Sequence, residues 1–200
     1  MNMHGKGFIL TAVLAALMLP AAAQTTPATA PATVNQRKEN QQDRIANGIQ
    51  DGQLTAGETK HLEKKESEVN QEERDMRKLD NGHLTTADRA TLNQQQNKLS
   101  KDIYKQKHDA QVQNLNPKSE VGQRERNQQE RIAQGVKSGQ LTAGETSHLE
   151  GRESHINNEV HNDRAANGGR LTPAERRQVN HQEDRTSRAI YRKKHNGRVQ

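Results

Sequence analysis

The sequence predicts an all-α fold built from two tandem copies of a three-helix unit. Three observations support this prediction: a short turn phrase that occurs four times, an internal repeat, and apolar residues at helical spacing. The phrase is Gly-x-Leu-Thr-x-x-Glu/Asp, and its copies begin at Gly52, Gly82, Gly139 and Gly169. Each copy is typical of the end of one helix, a tight turn and the start of the next helix.

In every copy of the phrase, a threonine precedes a carboxylate by three residues. This is the spacing of a capping box, in which the threonine hydroxyl accepts from the N3 amide and the carboxylate accepts from the threonine amide. The glycine is expected at the C′ position that ends the preceding helix. Pro173 fits position N1 of the last helix, where a backbone N–H has no helical partner. The predicted helix-capping residues are Thr55, Glu58, Thr85, Asp88, Thr142, Glu145, Thr172 and Glu175.

The two copies of the unit are related by one offset of 87 residues, as from Ile45 to Ile132, and no gap interrupts it. Within each copy the turn phrase recurs after 30 residues, as from Gly52 to Gly82. A repeated unit of this kind needs a neighbour to bury its apolar face. The predicted helices are 36–48, 55–80 and 86–108 in the first copy, and 123–135, 142–166 and 173–195 in the second.

Few apolar residues are available to pack these helices. They recur at intervals of seven and four residues, which places them in a narrow stripe on one side of each helix. The other faces carry Gln, Asn, Glu, Lys and Arg, as solvated helix faces do. The stripe therefore predicts that the copies pack on each other or that the protein self-associates. It consists of Leu62, Val69, Met76, Leu92, Leu99 and Ile103, with Leu149, Ile156, Val179 and Ile190 in the second copy.

The first 23 residues have the pattern of a secretory signal peptide. A basic start precedes an apolar run over residues 7–19 and a small-residue cleavage site that ends at Ala23. The run is short for a membrane span and no second run follows, so we expect an exported, periplasmic or extracellular protein without a transmembrane segment in its mature chain. The predicted boundaries are 1–23 for the signal peptide, 24–34 for a flexible Thr/Pro/Ala tether, 35–110 for the first repeat, 111–122 for a linker and 123–200 for the second repeat.

Composition narrows the possible partners. The chain has no cysteine, which excludes a disulfide framework and a lipid-anchored lipoprotein. The formal net charge is +6, and removal of Lys6 with the signal peptide lowers it to +5. Only Tyr104 and Tyr191 remain as aromatic residues after the signal peptide, which together with export disfavours nucleic acid as a partner. The candidate partners are a second copy of the chain and an anionic component of the cell envelope.

The run from Asp51 to Glu58, Asp-Gly-Gln-Leu-Thr-x-x-Glu, resembles the second half of an EF-hand calcium loop. The chain as a whole is also similar to secreted bacterial proteins of helix-turn-helix repeats, a family with no assigned activity. The EF-hand resemblance implies a weak calcium site formed by Asn47, Asp51 and Glu58. The other turns have Arg or aliphatic residues at ligand positions, which favours metal-free turns that serve only as helix caps.

The last helix of each copy ends in basic residues with a tyrosine and a histidine. One interpretation is structural: cations stabilise the carboxyl end of a helix, and the tyrosine packs beside an isoleucine. The other is that these two ends bind anionic polymers or envelope surfaces. The candidate anion-binding residues are Lys105, Lys107, His108, Arg192, Lys193, Lys194 and His195.

The sequence has no catalytic motif: no cysteine nucleophile, Gly-x-Ser-x-Gly elbow, phosphate loop or His-Glu-x-x-His helix is present. The Glu-x-x-His pairs of Glu58 with His61 and Glu145 with His148 have the spacing of di-iron ligands, but both glutamates stand at predicted helix starts. We therefore expect a non-enzymatic structural or interaction module of the cell envelope without a cofactor. The alternative is weak calcium binding through the EF-hand-like turns.

Overall fold

The structure, a computed structural model, describes residues 32–113 and 118–198. This part of the chain is all-α, with six helices and no strand. The predicted signal peptide, residues 1–23, and residues 24–31 of the predicted tether lie outside the described residues. The helices are α1 (Val34–Gln50), α2 (Ala56–Leu79), α3 (Thr86–Lys107), α4 (Glu120–Lys137), α5 (Ala143–Ala166) and α6 (Pro173–Lys194).

Two helices begin earlier than predicted. Thr33 is the N-cap of α1 and forms a capping box with Gln36, so the helix begins at Val34, the last residue of the predicted tether. Ser119 is the N-cap of α4, and its hydroxyl accepts from the Gly122 N–H at 3.1 Å, so residues 120–122 belong to the helix rather than to the linker.

The turns end their helices in two ways. After α1 and α4, Gly52 and Gly139 directly follow the C-cap, with φ of 68° and 69°. After α2, the left-handed C′ residue is Asn81 with φ 52°, and the N–H of Gly82 bonds to the Arg77 carbonyl at 2.7 Å. α5 ends like α2, with glycine at both positions. The predicted C′ glycine is therefore wrong by one residue in the second and fourth turns, which form the longer Schellman arrangement.

The helices pack in four layers. α3 contacts α1 and α2, and α6 contacts α4 and α5. The two inner pairs face each other through contacts of α1 with α4 and of α2 with α5, the most extensive pair. α3 and α6 do not contact each other, because the four inner helices lie between them. The third helix of each copy is therefore outermost, on opposite sides of the described part of the chain.

α2 and α5 run antiparallel and approach closely. A Cβ added at Gly57 would lie 3.5 Å from Ser154 Oγ, and one added at Gly144 would lie 3.1 Å from Ser67 Oγ. Gly57 is equivalent to Gly144 and Ser67 is equivalent to Ser154, so each contact is the counterpart of the other. An approximate two-fold axis therefore relates the two helices. Glycine and serine at these positions allow the two backbones to come together.

One apolar cluster takes residues from both copies, including Ile45, Leu54, Ile132 and Leu141. Most of the predicted stripe is buried: Leu62, Leu92, Leu99, Ile103, Leu149, Ile156, Val179 and Ile190. Val69 and Met76, however, are only half-buried. Ile156, which is equivalent to Val69 in the second copy, is buried. The copies complete one shared core inside a single chain.

Candidate functional site

The predicted capping residues lie at the N-termini of four helices. The Thr55 hydroxyl accepts from the Glu58 N–H at 3.3 Å, and the Thr55 N–H donates to Glu58 Oε2 at 2.8 Å. These bonds satisfy backbone donors that have no partner inside the helix. The same reciprocal pair joins Thr85 to Asp88, Thr142 to Glu145 and Thr172 to Glu175.

The candidate calcium ligands lie around the first turn. Asn47 and Asp51 are exposed, and the N–H of Asp51 bonds to the Asn47 carbonyl at 2.9 Å. Glu58 Oε2 is occupied by the cap, since it accepts from both the N–H and the hydroxyl of Thr55 at 2.8 Å. Within residues 32–113 and 118–198, no group of three or more His, Cys, Asp or Glu side chains could hold a metal ion. Weak calcium binding at this turn stays a prediction.

The two Glu-x-x-His pairs are not interior sites. His61 and His148 are both exposed on their helices. Burial nevertheless lowers the pKa of His148, and the charges of Lys193 and Arg152 lower it further. These histidines therefore lack the buried setting that a carboxylate-bridged metal pair uses in helical bundles.

Buried glutamates form a feature that the sequence interpretation missed. Gln42 donates to Glu63 at 3.1 Å, and the equivalent Gln129 donates to Glu150 at 3.0 Å. Both carboxyl oxygens of Glu153 are buried without a hydrogen-bond partner in the described chain. The interpretation of the carboxylates as a solvated face is wrong for the buried glutamates. Six of them also have a raised pKa: Glu63, Glu66, Glu125, Glu150, Glu153 and Glu183.

Burial raises the pKa of all six carboxyls above the ordinary value of 4.5, because the charged form loses its hydration. The pKa rises to about 8 for Glu150 and Glu125, with the charge of Glu183 adding to the effect at Glu125. The pKa is about 7 for Glu66 and Glu183, and it lies well above 4.5 for Glu63 and Glu153. The folded protein therefore holds protons on core carboxyls near neutral pH.

The predicted anion-binding residues divide into two groups. Lys107 and Lys194 are half-buried, and their ammonium groups donate to backbone carbonyls of α1 and α4 at 3.2 Å and 3.3 Å. Lys193 is half-buried 4.0 Å from a carboxylate oxygen of Glu145. These three lysines therefore support the packing of the helix ends. The exposed members of the set are Lys105, His108, Arg192 and His195.

A tyrosine and a histidine stack at each of these helix ends. The ring centroids are 4.1 Å apart for Tyr104 and His108, and 4.3 Å apart for Tyr191 and His195. Each histidine Nδ1 donates to the tyrosine carbonyl oxygen at 2.7 Å. Both tyrosines are 61% exposed, although the isoleucine before each is fully buried. The isoleucines therefore lie in the core, and the tyrosines lie at the surface beside their histidines.

The outer face of α6 carries a basic row that the sequence interpretation also missed. Its members are separated by three or four residues and are all exposed, which places them on one helix face. We call this set the α6 row: Arg177, His181, Arg185, Arg188, Arg192 and His195. The equivalent positions of α3 are Ala90, Gln94, Lys98, Lys101, Lys105 and His108.

The function has to be inferred from the architecture described above. No protein-family model, curated protein or solved structure matches the chain. The helices of the described residues include none that is both long and apolar enough to cross a membrane. The described residues therefore form an all-α arrangement of six helices whose outer helices are cationic.

Proposed function

We propose that the protein is an exported, non-enzymatic helical repeat module that binds an anionic component of the cell envelope. Export is inferred from the signal-like residues 1–23. Binding is inferred from one observation above all: the outermost helices α3 and α6 each present exposed basic side chains beside an exposed Tyr–His stack.

The positions of α3 and α6 support a role in linking two anionic partners rather than in binding a single one. Since the inner helices separate them, one molecule has two cationic faces that point in opposite directions. Two faces on one chain can engage two polymer segments or two surfaces at once, and linked contacts bind more strongly than either contact alone. The proposed module would therefore bridge anionic material.

The binding would be electrostatic and sensitive to salt. The exposed basic residues lie in solvent, where charge interactions are screened over about 8 Å at physiological ionic strength. Such charges mainly accelerate association and hold flexible anionic partners. We expect binding at low salt that weakens steadily as salt is added.

Co-sedimentation of residues 24–200 with an isolated cell-envelope fraction tests this proposal. We expect the double substitution Lys105→Glu and Arg192→Glu to release the protein at a lower salt concentration than the native chain. Lys64→Glu with Lys78→Glu is the matched control, because these lysines are exposed on α2 rather than on the outer helices. Absence of binding at low salt, or equal loss in the control, would refute the proposed binding.

Export has a separate test. When the full sequence is expressed, the protein should be found outside the cytoplasm with a mass that corresponds to cleavage near Ala23. Mass spectrometry of fractionated cells measures this. Recovery of the intact chain in the cytoplasm alone would remove the envelope from the proposal.

A further inference from the structure

We infer that the α6 row binds a linear polymer of phosphate groups. This inference rests on the proposed function and adds to it the chemical class of the partner and the helix that recognises it. It depends on the arrangement of the row, on the guanidinium groups that stay unpaired within it, and on the contrast with α3.

The row is long, narrow and continuous. From Arg177 to His195 it extends about 27 Å at the ordinary rise of a helix. The outer position of α6 leaves this face uncovered, because α6 contacts only α4 and α5 within the described chain. One line of arginines and histidines on a convex helix matches an extended anionic chain laid along it.

The carboxylates nearest to the row leave part of it unpaired. Glu183 is fully buried on the opposite side of α6. Asp184 bonds to the Arg124 guanidinium of α4, which holds the pKa of Asp184 below its usual range. Arg188 and His181 of the row also act electrostatically on Asp184 and lower its pKa further. The guanidinium groups of Arg177 and Arg185 make no hydrogen bond or ion pair with another described residue. These two guanidinium groups therefore keep their donors available to a ligand.

The residue types favour phosphate. Four of the six members are arginine, whose planar guanidinium donates two parallel hydrogen bonds to the oxygens of one phosphate. Tyr191 is the single large apolar side chain exposed on α6. A helix that binds a bilayer needs an apolar face to bury at the interface, and this one lacks it. A polymer fits the row better than a lipid surface.

α3 provides a comparison within the same molecule. Its equivalent face has lysine in place of Arg185, Arg188 and Arg192, and neutral residues in place of Arg177 and His181. Lysine is a point charge without the guanidinium fork. We therefore expect α6 to dominate phosphate binding, although both helices contribute to general attraction.

The test measures binding of residues 24–200 to long-chain inorganic polyphosphate by fluorescence anisotropy over a salt series. A quadruple Arg→Gln variant at positions 177, 185, 188 and 192 should weaken binding by about tenfold or more and flatten the salt dependence. The quadruple Arg→Lys variant keeps the charge and should still weaken binding several-fold. The matched control, Lys98→Gln with Lys101→Gln and Lys105→Gln on α3, should change binding by less than about twofold. Helical circular dichroism and the thermal midpoint check that each variant is folded.

Three further results would overturn the inference. They are an Arg→Lys variant with native affinity, an α3 control that loses as much affinity as the α6 variant, and binding to poly-glutamate or anionic-lipid vesicles as tight as to polyphosphate. If none of these anions binds even at low salt, the proposed function itself fails. Polyphosphate binding that does not depend on α6 overturns only the inference.

Discussion

Substitution of Glu150 by glutamine should stabilise the protein at alkaline pH and have little effect at acidic pH. Glu150 is fully buried, and one oxygen accepts from Gln129 at 3.0 Å while the other has no partner in the described chain. Glutamine has nearly the same shape and keeps the carbonyl acceptor for Gln129. The change therefore removes a titrating group and leaves the packing in place.

The magnitude follows from the pKa of Glu150, which burial raises from 4.5 to about 8. The folded state then binds the proton more tightly than the unfolded state. The contribution of this carboxyl to stability is complete below pH 4.5 and is lost as the pH rises through about 8. Each pKa unit corresponds to about 1.4 kcal/mol, so the full loss is on the order of 5 kcal/mol.

Urea unfolding of residues 24–200, followed by circular dichroism at several pH values between 4 and 9, measures this effect. The free energy of unfolding of the native chain should fall as the pH rises, and that of Glu150→Gln should fall less. Glu130→Gln is the control, because Glu130 is exposed on α4. Its curve should run parallel to that of the native chain.

Two results would refute this reasoning. One is a native chain whose free energy of unfolding stays constant or increases between pH 5 and 8. The other is a Glu150→Gln curve that is displaced from the native curve by the same amount at every pH. The second result would mean that Glu150 is ionised in the fold and stabilised by water or a cation.

Three other changes test the turns. Gly48→Ala should destabilise the protein by about 1–3 kcal/mol, because its Cβ would lie 2.7 Å from the buried Leu54 Cδ1; Gly57→Ala, with 3.5 Å to its nearest neighbour, should cost less in the same urea assay. Thr85→Ala should cost about 1 kcal/mol by loss of the cap, and Thr85→Ser should restore most of it. Millimolar calcium, compared with matched ionic strength, should leave the thermal midpoint unchanged; an increase that Asp51→Asn abolishes would establish the calcium site instead.

Local sequence signals are enough to predict the helices, whereas the burial of individual side chains depends on the tertiary structure. The start of α2 at Thr55 depends on bonds between residues three apart, so the sequence contains the whole signal. Glu66 lies four residues after Leu62 on the same helix face. Because its side chain is charged, the sequence nevertheless predicts that it is exposed to solvent. Only the tertiary structure shows that Glu66 is buried, with Lys38 of α1 near enough for its charge to lower the pKa of the carboxyl.

The α6 row was recoverable from the sequence in principle. Val179 and Ile190 fix the buried side of α6, and the arginines recur at three or four residues on the other side. The cluster of basic residues at the end of the helix instead predicts anion binding by Lys193 and Lys194, which are half-buried. Charged residues that are adjacent in sequence at a helix end point in different directions around the helix. The helical period therefore decides which of them are exposed to solvent.

The two copies share a backbone arrangement but differ in the charges around one buried position. In the first copy, burial raises the pKa of Glu66 to about 7 against the opposing charge of Lys38. The position equivalent to Lys38 in the second copy is Glu125, which raises the pKa of Glu153 beyond the effect of burial. Glu183, where the first copy has Gln96, acts on Glu153 in the same direction. The proton-dependent part of the stability is therefore concentrated in the second copy, which is also the copy that carries the arginine row.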